Sequence, residues 1–203
     1  SHAIANTKGH LRVSAALVGK LNDKKTNYES LEDISCDCIC VSGNWTPTVH
    51  LASQSGNKLK FDENINAFIP NQSRQNESTV GSAKGIFTLK KSLEEGFNKG
   101  FEISNKITKK NIKSSIPASN ERSNDEHDKL WCMPLPKNKN YKRCVDFQND
   151  VYVSDIELAI REGFRSIEHV KRYTTLGMAT DQGKTSNLNG LQLVSNIEKK
   201  IIP

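Results

Sequence analysis

The stretch Val80-Gly81-Ser82-Ala83-Lys84-Gly85-Ile86-Phe87 decides how this chain is read. A short strand from Ser78 to Val80 is predicted to enter it, and a helix from about Phe87 to Ile103 to leave it. In that helix Leu89, Leu93, Phe97 and Phe101 recur every four residues and form one apolar stripe, predicted to be buried. Gly96 and Gly100 lie one turn apart, which predicts tight packing against a sheet. Strand, glycine-rich turn and helix together can cradle a phosphate, with backbone N–H groups and the positive helix end facing the anion. The same turn occurs in α/β proteins that hold no ligand, so the residues alone leave both readings open. A full G-x-G-x-x-G with its downstream acid is absent.

Upstream, Leu11 to Leu21 is apolar and β-branched and predicts a strand. Ile34 to Val41 is short, apolar and closed by Ser42-Gly43-Asn44, as a buried strand ending in a tight turn would be. Cys36, Cys38 and Cys40 alternate along it and would share one buried face of a sheet. Zinc sites pair Cys-x₂₋₄-Cys with a second such pair, which this chain lacks. Ala67–Pro70 predicts one more short strand.

The 203 residues suit one medium domain or two small ones, and 35% of them are hydrophobic. No run approaches the ~20 apolar residues of a membrane span, so no membrane partner is expected. Five cysteines without a secretory leader predict a reducing, cytoplasmic setting. The amino end lacks an initiator Met and reads as an internal piece of a longer protein. Net charge is +6, and Lys109 to Arg143 carries nine cations against four carboxylates, which leaves the rest nearly neutral. That stretch is rich in Ser, Asn and Pro, with Trp131 and Tyr141 as its only aromatics. It reads as a solvated linker over 109–130 and not as a nucleic-acid surface.

Beyond the linker the pattern is helical. Ser154-Asp155-Ile156-Glu157 predicts a capping box opening a helix that ends at Gly163. Ser166 is predicted to cap the next helix, and Ser186 to precede a last one carrying Leu188, Leu191, Val194 and Ile197. Lys171, Arg172, Thr174, Thr175, Lys184 and Thr185 gather cations and hydroxyls near a helix start. An anion contact and a capped helix with solvated charges both fit them. Gly183-Lys184-Thr185 lacks the upstream glycine of a nucleotide-hydrolysis loop. The five histidines are scattered, and no catalytic set can be argued.

Two stretches carry a family resemblance. Val145-Asp-Phe-Gln-Asn-Asp-Val151, Ala159-Ile-Arg-Glu-Gly-Phe164, Ser166 to Met178 and Thr180 to Asn187 closely resemble the alpha subunit of heterotetrameric sarcosine oxidase. Val41 to Leu51, Phe68-Ile-Pro70 and Val80 to Gly85 resemble the same subunit in the same order. The resemblance implies an α/β fold: 1–108 as the closing part of a dinucleotide-binding domain and 131–203 as a small helical domain. It implies NAD in the alpha subunit and FMN at the alpha/beta boundary. FAD and tetrahydrofolate would sit in parts outside this chain, with beta, gamma and delta subunits as partners. The implied reaction is oxidative demethylation of sarcosine to glycine, hydrogen peroxide and methylene-tetrahydrofolate. Gly81, Ser82, Ala83, Gly85 and Phe87 would close over the dinucleotide, Ser82 standing where an FAD-binding fold has Asp. Asn44 stands where the family commonly has a second glycine. Lys171, Arg172, Thr174, Thr175, Lys184 and Thr185 would face the FMN phosphate. The carboxy-terminal helices also resemble the bacterioferritin-associated-ferredoxin module, whose four cluster positions fall on Asp146, Gln148, Asp181 and Ser186. None is Cys, so no iron–sulfur cluster is expected. A non-catalytic interaction module, or an oxidase of another secondary amine, remains the alternative.

Overall fold

The computed structural model describes residues 1–41, 45–109, 115–119, 130–137, 139–200 and 202. In chain order the elements are β1 His2–Lys8, β2 Ala15–Leu21, β3 Tyr28–Ser35, α1 His50–Gln54, β4 Leu59–Asp62 and β5 Ala67–Pro70. A 3₁₀ turn at Gly81–Lys84 and α2 Leu89–Thr108 follow. Then come β6 Cys144–Asp146, β7 Val151–Tyr152, α3 Val153–Arg161, α4 Ile167–Thr174 and α5 Asn187–Glu198. The fold is a mixture of helices and strands, and every strand pair among the described residues is antiparallel. The chain divides into two compact units, 1–42 with 130–202 and 43–129. Most of the predicted 109–130 linker lies outside the described residues, as does Asn44.

In the first unit β1, β2 and β3 form a meander in that order. Ala16, Gly19 and Leu21 of the central strand are buried, while the edge strand β3 is exposed almost throughout. Lys8 to Asp33 at 2.5 Å and Lys20 to Glu29 at 2.7 Å tie the strands at the surface, where ion pairs contribute little. The strand expected from Leu11 begins only at Ala15, and Leu11 itself is exposed. The strand expected over Ile34–Val41 is displaced too, because β3 pairs with β2 only as far as Ser35 opposite Ala15. The Cys36 N–H reaches Ser14 O at 3.2 Å, and no strand pairing follows. Cys36 is therefore half-buried and Cys38 and Cys40 are exposed, which overturns the expectation of one buried cysteine face.

The helical part of this unit closes on Val145, Val151, Val153, Ile156, Ala159, Val170, Leu176, Leu193 and Val194. α3 starts one residue before the predicted cap. The Tyr152 N–H donates to Asp155 Oδ2 at 2.8 Å, so Asp155 satisfies the amino end. Glu157 is left to face Arg143 at 3.9 Å. The helix ends as predicted at Gly163, whose φ is +99°, and the Phe164 N–H bonds Ala159 O at 3.0 Å in a Schellman closure. Ser166 occupies its predicted N-cap position and Ser186 is the N-cap of the last helix, predicted to begin near it, although neither hydroxyl caps its own helix. Gly190 lets α5 approach Leu176, since a Cβ there would lie 2.3 Å from Leu176 Cδ2.

In the second unit β4 and β5 form a hairpin stapled by Phe61 against Phe68, ring centroids 5.4 Å apart. Ala67–Pro70 is a strand as predicted, whereas Ser78–Val80 pairs with nothing. α2 begins at Leu89 and runs five residues past the predicted end. Its apolar stripe is half-buried at best, with Leu89 exposed. A Cβ at Gly96 or Gly100 would meet nothing within 4 Å, so the tight packing expected there is absent among the described residues. What α2 does pack on is the Gly81–Lys84 turn.

Candidate functional site

The first candidate is the Gly81–Phe87 turn. Gly81 and Gly85 both sit at positive φ, +65° and +95°, and Gly85 closes the 3₁₀ turn through its N–H to Ser82 O at 3.1 Å. A Cβ on Gly85 would lie 2.5 Å from Ile65 Cδ1 and oblige that methyl to shift, while the φ of +95° favours glycine in any case. Sequence reasoning missed Glu95. Two turns into α2, its Oε2 accepts the Gly81 N–H at 2.8 Å and its Oε1 holds the Lys84 ammonium. The donors a phosphate would take from Gly81 and Lys84 are thus held by the chain's own carboxylate. Ser82 is exposed and Ala83 half-buried. Phe87 lies beside Trp45, ring centroids 6.4 Å apart at 46°, and Pro47 touches the space above Gly85. The only sequence signal for Glu95 was its place on the helix leaving the turn.

The second candidate surrounds Asp146, which is 2% exposed. Its Oδ1 accepts the N–H groups of Gln148 at 2.9 Å and Asn149 at 3.2 Å. Its Oδ2 accepts the Gly177 N–H at 2.7 Å and the Ser186 hydroxyl at 3.2 Å. A buried carboxylate is tolerable only when donors replace its water in this way. Asp181 ties the same loop: it accepts the Gly183 N–H, the Thr185 N–H and, at 2.5 Å, the Thr185 hydroxyl. Those bonds from Thr185 and Gly183 hold its carboxyl below the ordinary value. Thr175 and Gln182 take left-handed φ of +62° and +55°, unusual for a β-branched residue in the first case. Asn149 Nδ2 pins Thr175 O at 2.8 Å. The Asn187 amide fills the space between Gly177 and Gly183, where any Cβ would lie within 2.1 Å of it.

Of the cations and hydroxyls expected to face an anion, two are spent on the chain's own acceptors. Thr174 Oγ1 donates to Val170 O at 2.7 Å, and Thr185 Oγ1 goes to Asp181. Lys171 and Arg172 stand in the last turn of α4, where a positive charge also complements the helix dipole. Thr175, Arg172 and Lys184 are exposed. Three of the four expected cluster positions are joined directly, Asp146 to the Gln148 N–H and to Ser186, and no thiolate stands among them. Burial pushes the Cys132 and Cys144 thiols up, away from the thiolate form. Among the described residues no three His, Cys, Asp or Glu side chains are placed to hold a metal, and no helix is long and apolar enough to cross a membrane.

Residues 140–203, the segment built on Asp146, match the model of the sarcosine oxidase A3 domain. Over 165 residues the chain is 35% identical to the sarcosine oxidase subunit alpha of Rhizobium meliloti (strain 1021), covering 81% of this chain and 16% of that one. It is 31% identical over 200 residues to the sarcosine oxidase subunit alpha of Corynebacterium sp. (strain U-96), covering 96% of this chain and 20% of that one. The chain belongs to the sarcosine oxidase alpha-subunit family. It spans at most a fifth of the length of these curated alpha subunits. Among solved structures, L-proline dehydrogenase from P. horikoshii superposes with a TM-score of 0.59 over 98% of this chain and 39% of that one. At 18% identity that likeness speaks for the fold alone.

Proposed function

We propose that the chain works as part of the alpha subunit of a sarcosine-oxidase-type oxidoreductase complex. What supports this reading is the 31–35% identity to alpha subunits over 81–96% of the chain. In this reading 1–108 closes a dinucleotide-binding domain, 109–130 links, and 131–203 is the small helical domain at a subunit boundary. The complex oxidatively demethylates sarcosine in the cytoplasm, with beta, gamma and delta subunits as its partners. NAD rests against Gly81, Ser82, Ala83, Gly85 and Phe87. Lys171, Arg172, Thr175 and Lys184 would hold the FMN phosphate at that boundary, while Thr174 and Thr185 tie the loop through bonds to Val170 O and Asp181. When bound, a flavin would supply the two-electron acceptor that amine oxidation needs. FAD and tetrahydrofolate bind elsewhere in the complex.

The chain's own work is positional. Asp146 shapes the 175–186 loop, and the cations around it bind and orient an anion without moving a proton. In this reading the chain supplies walls and an interface, and the reacting groups lie elsewhere in the complex. The test is co-expression with a beta-type subunit. Sarcosine-dependent peroxide formation and co-elution with the beta subunit are expected only when both are present. Failure to co-elute, with both proteins folded, would overturn the reading.

A further inference from the structure

We propose that Cys38 and Cys40 form a peroxide-responsive modification site, a pair of thiols that closes reversibly to a disulfide while Cys132 and Cys144 stay reduced. Hydrogen peroxide, the product of the proposed oxidase, is the oxidant. The site itself stands on this chain's residues, whether or not that oxidase reading holds.

All five cysteines are free, and three of them fall within Cys36-Asp37-Cys38-Ile39-Cys40. Pairing of β3 with β2 stops at Ser35, and the last backbone tie is the Cys36 N–H to Ser14 O at 3.2 Å. Beyond it the burial alternates. Ile39 is half-buried, while Cys38 and Cys40 on either side of it are exposed. In extended chain residues two apart share a side, so an inward Ile39 leaves both thiols facing water together. Two extended residues span about 6.6 Å between Cα atoms. A disulfide usually needs about 4.4–6.8 Å. Backbone that no strand pairing holds can shorten that span at little cost. Cys36 is the poorer partner, being half-buried and tied through its own N–H.

The other two thiols are shielded. Cys132 Sγ accepts the Arg143 Nη1 N–H at 3.1 Å and is half-buried, as is Cys144. Burial disfavours the thiolate of both, and the thiolate is the form that attacks peroxide. At the exposed pair the first sulfur attacks a peroxide oxygen. An S–O bond forms, the O–O bond breaks, and water leaves with one thiol proton. The second sulfur then attacks the sulfenic sulfur, forming S–S and breaking S–O, and a second water carries away the other proton. Two sulfurs are oxidised by one electron each and one peroxide is reduced to two waters. A neighbouring thiol halts oxidation at this reversible stage, before sulfinic acid, and a thiol reductant reopens the bond.

The test uses the full chain, reduced and then exposed to a few equivalents of hydrogen peroxide, with free thiols alkylated and the products read by mass. Loss of two hydrogens in the monomer is expected, reversed by dithiothreitol. Cys38 and Cys40 should be consumed at least tenfold faster than Cys132 and Cys144. That selectivity should vanish in urea, where every thiol is open. Cys36→Ser should keep the two-hydrogen loss. Cys38→Ser and Cys40→Ser should each abolish it and leave a sulfenic acid on the remaining thiol, trapped by dimedone. Equal consumption of Cys132 or Cys144 in the folded chain would overturn the proposal, as would a disulfide that survives Cys38→Ser or Cys40→Ser. A disulfide-linked dimer as the main product overturns it too. Because peroxide is added directly, none of these failures touches the proposed oxidase function.

Discussion

Asp146 stands in a strand of three residues, Cys144-Val145-Asp146, where nothing in the local pattern marks it as a hub. Its role comes from Gly177 and Ser186, 31 and 40 residues away, which no periodicity connects to it. Asp146→Asn must turn an NH₂ group toward backbone N–H donors on one side or the other. A loss of about 1–3 kcal/mol is expected, read by urea unfolding. Gly183→Ala should cost about 1–3 kcal/mol as well, since its φ of +75° is strained for alanine and Asn187 fills the space. Glu95 was equally hidden, for its bonds run to a turn whose glycines were legible and whose occupant was not. The cation and hydroxyl residues from Lys171 to Thr185 were found by composition. Sequence could not tell which hydroxyls are taken by the chain's own acceptors, because that depends on where Asp181 and Val170 O lie.

Among elements, helices were read well and strands poorly. The ends at Gly163, Ser166 and Ser186 were legible because caps and glycines act within a few residues. The strand over Ile34–Val41 was misplaced because pairing depends on β2, and the apolar run continues past the point where β2 ends. On α2 the glycine pair was read as a packing seam. With nothing within 4 Å of either Cβ position, Gly96→Ala and Gly100→Ala should each stabilise the helix by about 0.5–1 kcal/mol, measured by thermal unfolding. The same helix carries a pH-dependent contribution. Hydrogen bonds from Lys106 and then Lys99 lower the Glu102 carboxyl to about 2 from its ordinary 4.5. A depressed folded value means the pairing helps above pH 4.5 and is lost as pH falls from 4.5 through 2. Carbon NMR of the Glu102 carboxyl should show the low midpoint, and 1 M salt should raise it, since the pair is exposed.

For the whole molecule, the charge sum misled least where it was localised. Most of the +6 falls in 109–143 and leaves the two candidate sites to be judged on geometry. A beta-type subunit that binds only the folded chain stabilises it by mass action. At a hundredfold excess over its dissociation constant about 2.7 kcal/mol is expected, seen as a concentration-dependent rise in Tm. Lys184→Glu, at an exposed position outside the helices, should weaken that rise while leaving the unfolding of the free chain nearly unchanged.

The knot at Asp146 also sets a clock. Its most distant bond closes a span of 40 residues, and loop closure of that length is entropically unfavourable until α3 and α4 are already docked. The expectation is that the carboxylate meets Gly177 and Ser186 late, after the barrier to folding, which a φ value near zero for Asp146 would show. Asp146→Asn should leave the refolding rate almost untouched and multiply the unfolding rate by roughly the whole loss in stability. The residue would then govern how long the native state lasts more than how quickly it forms.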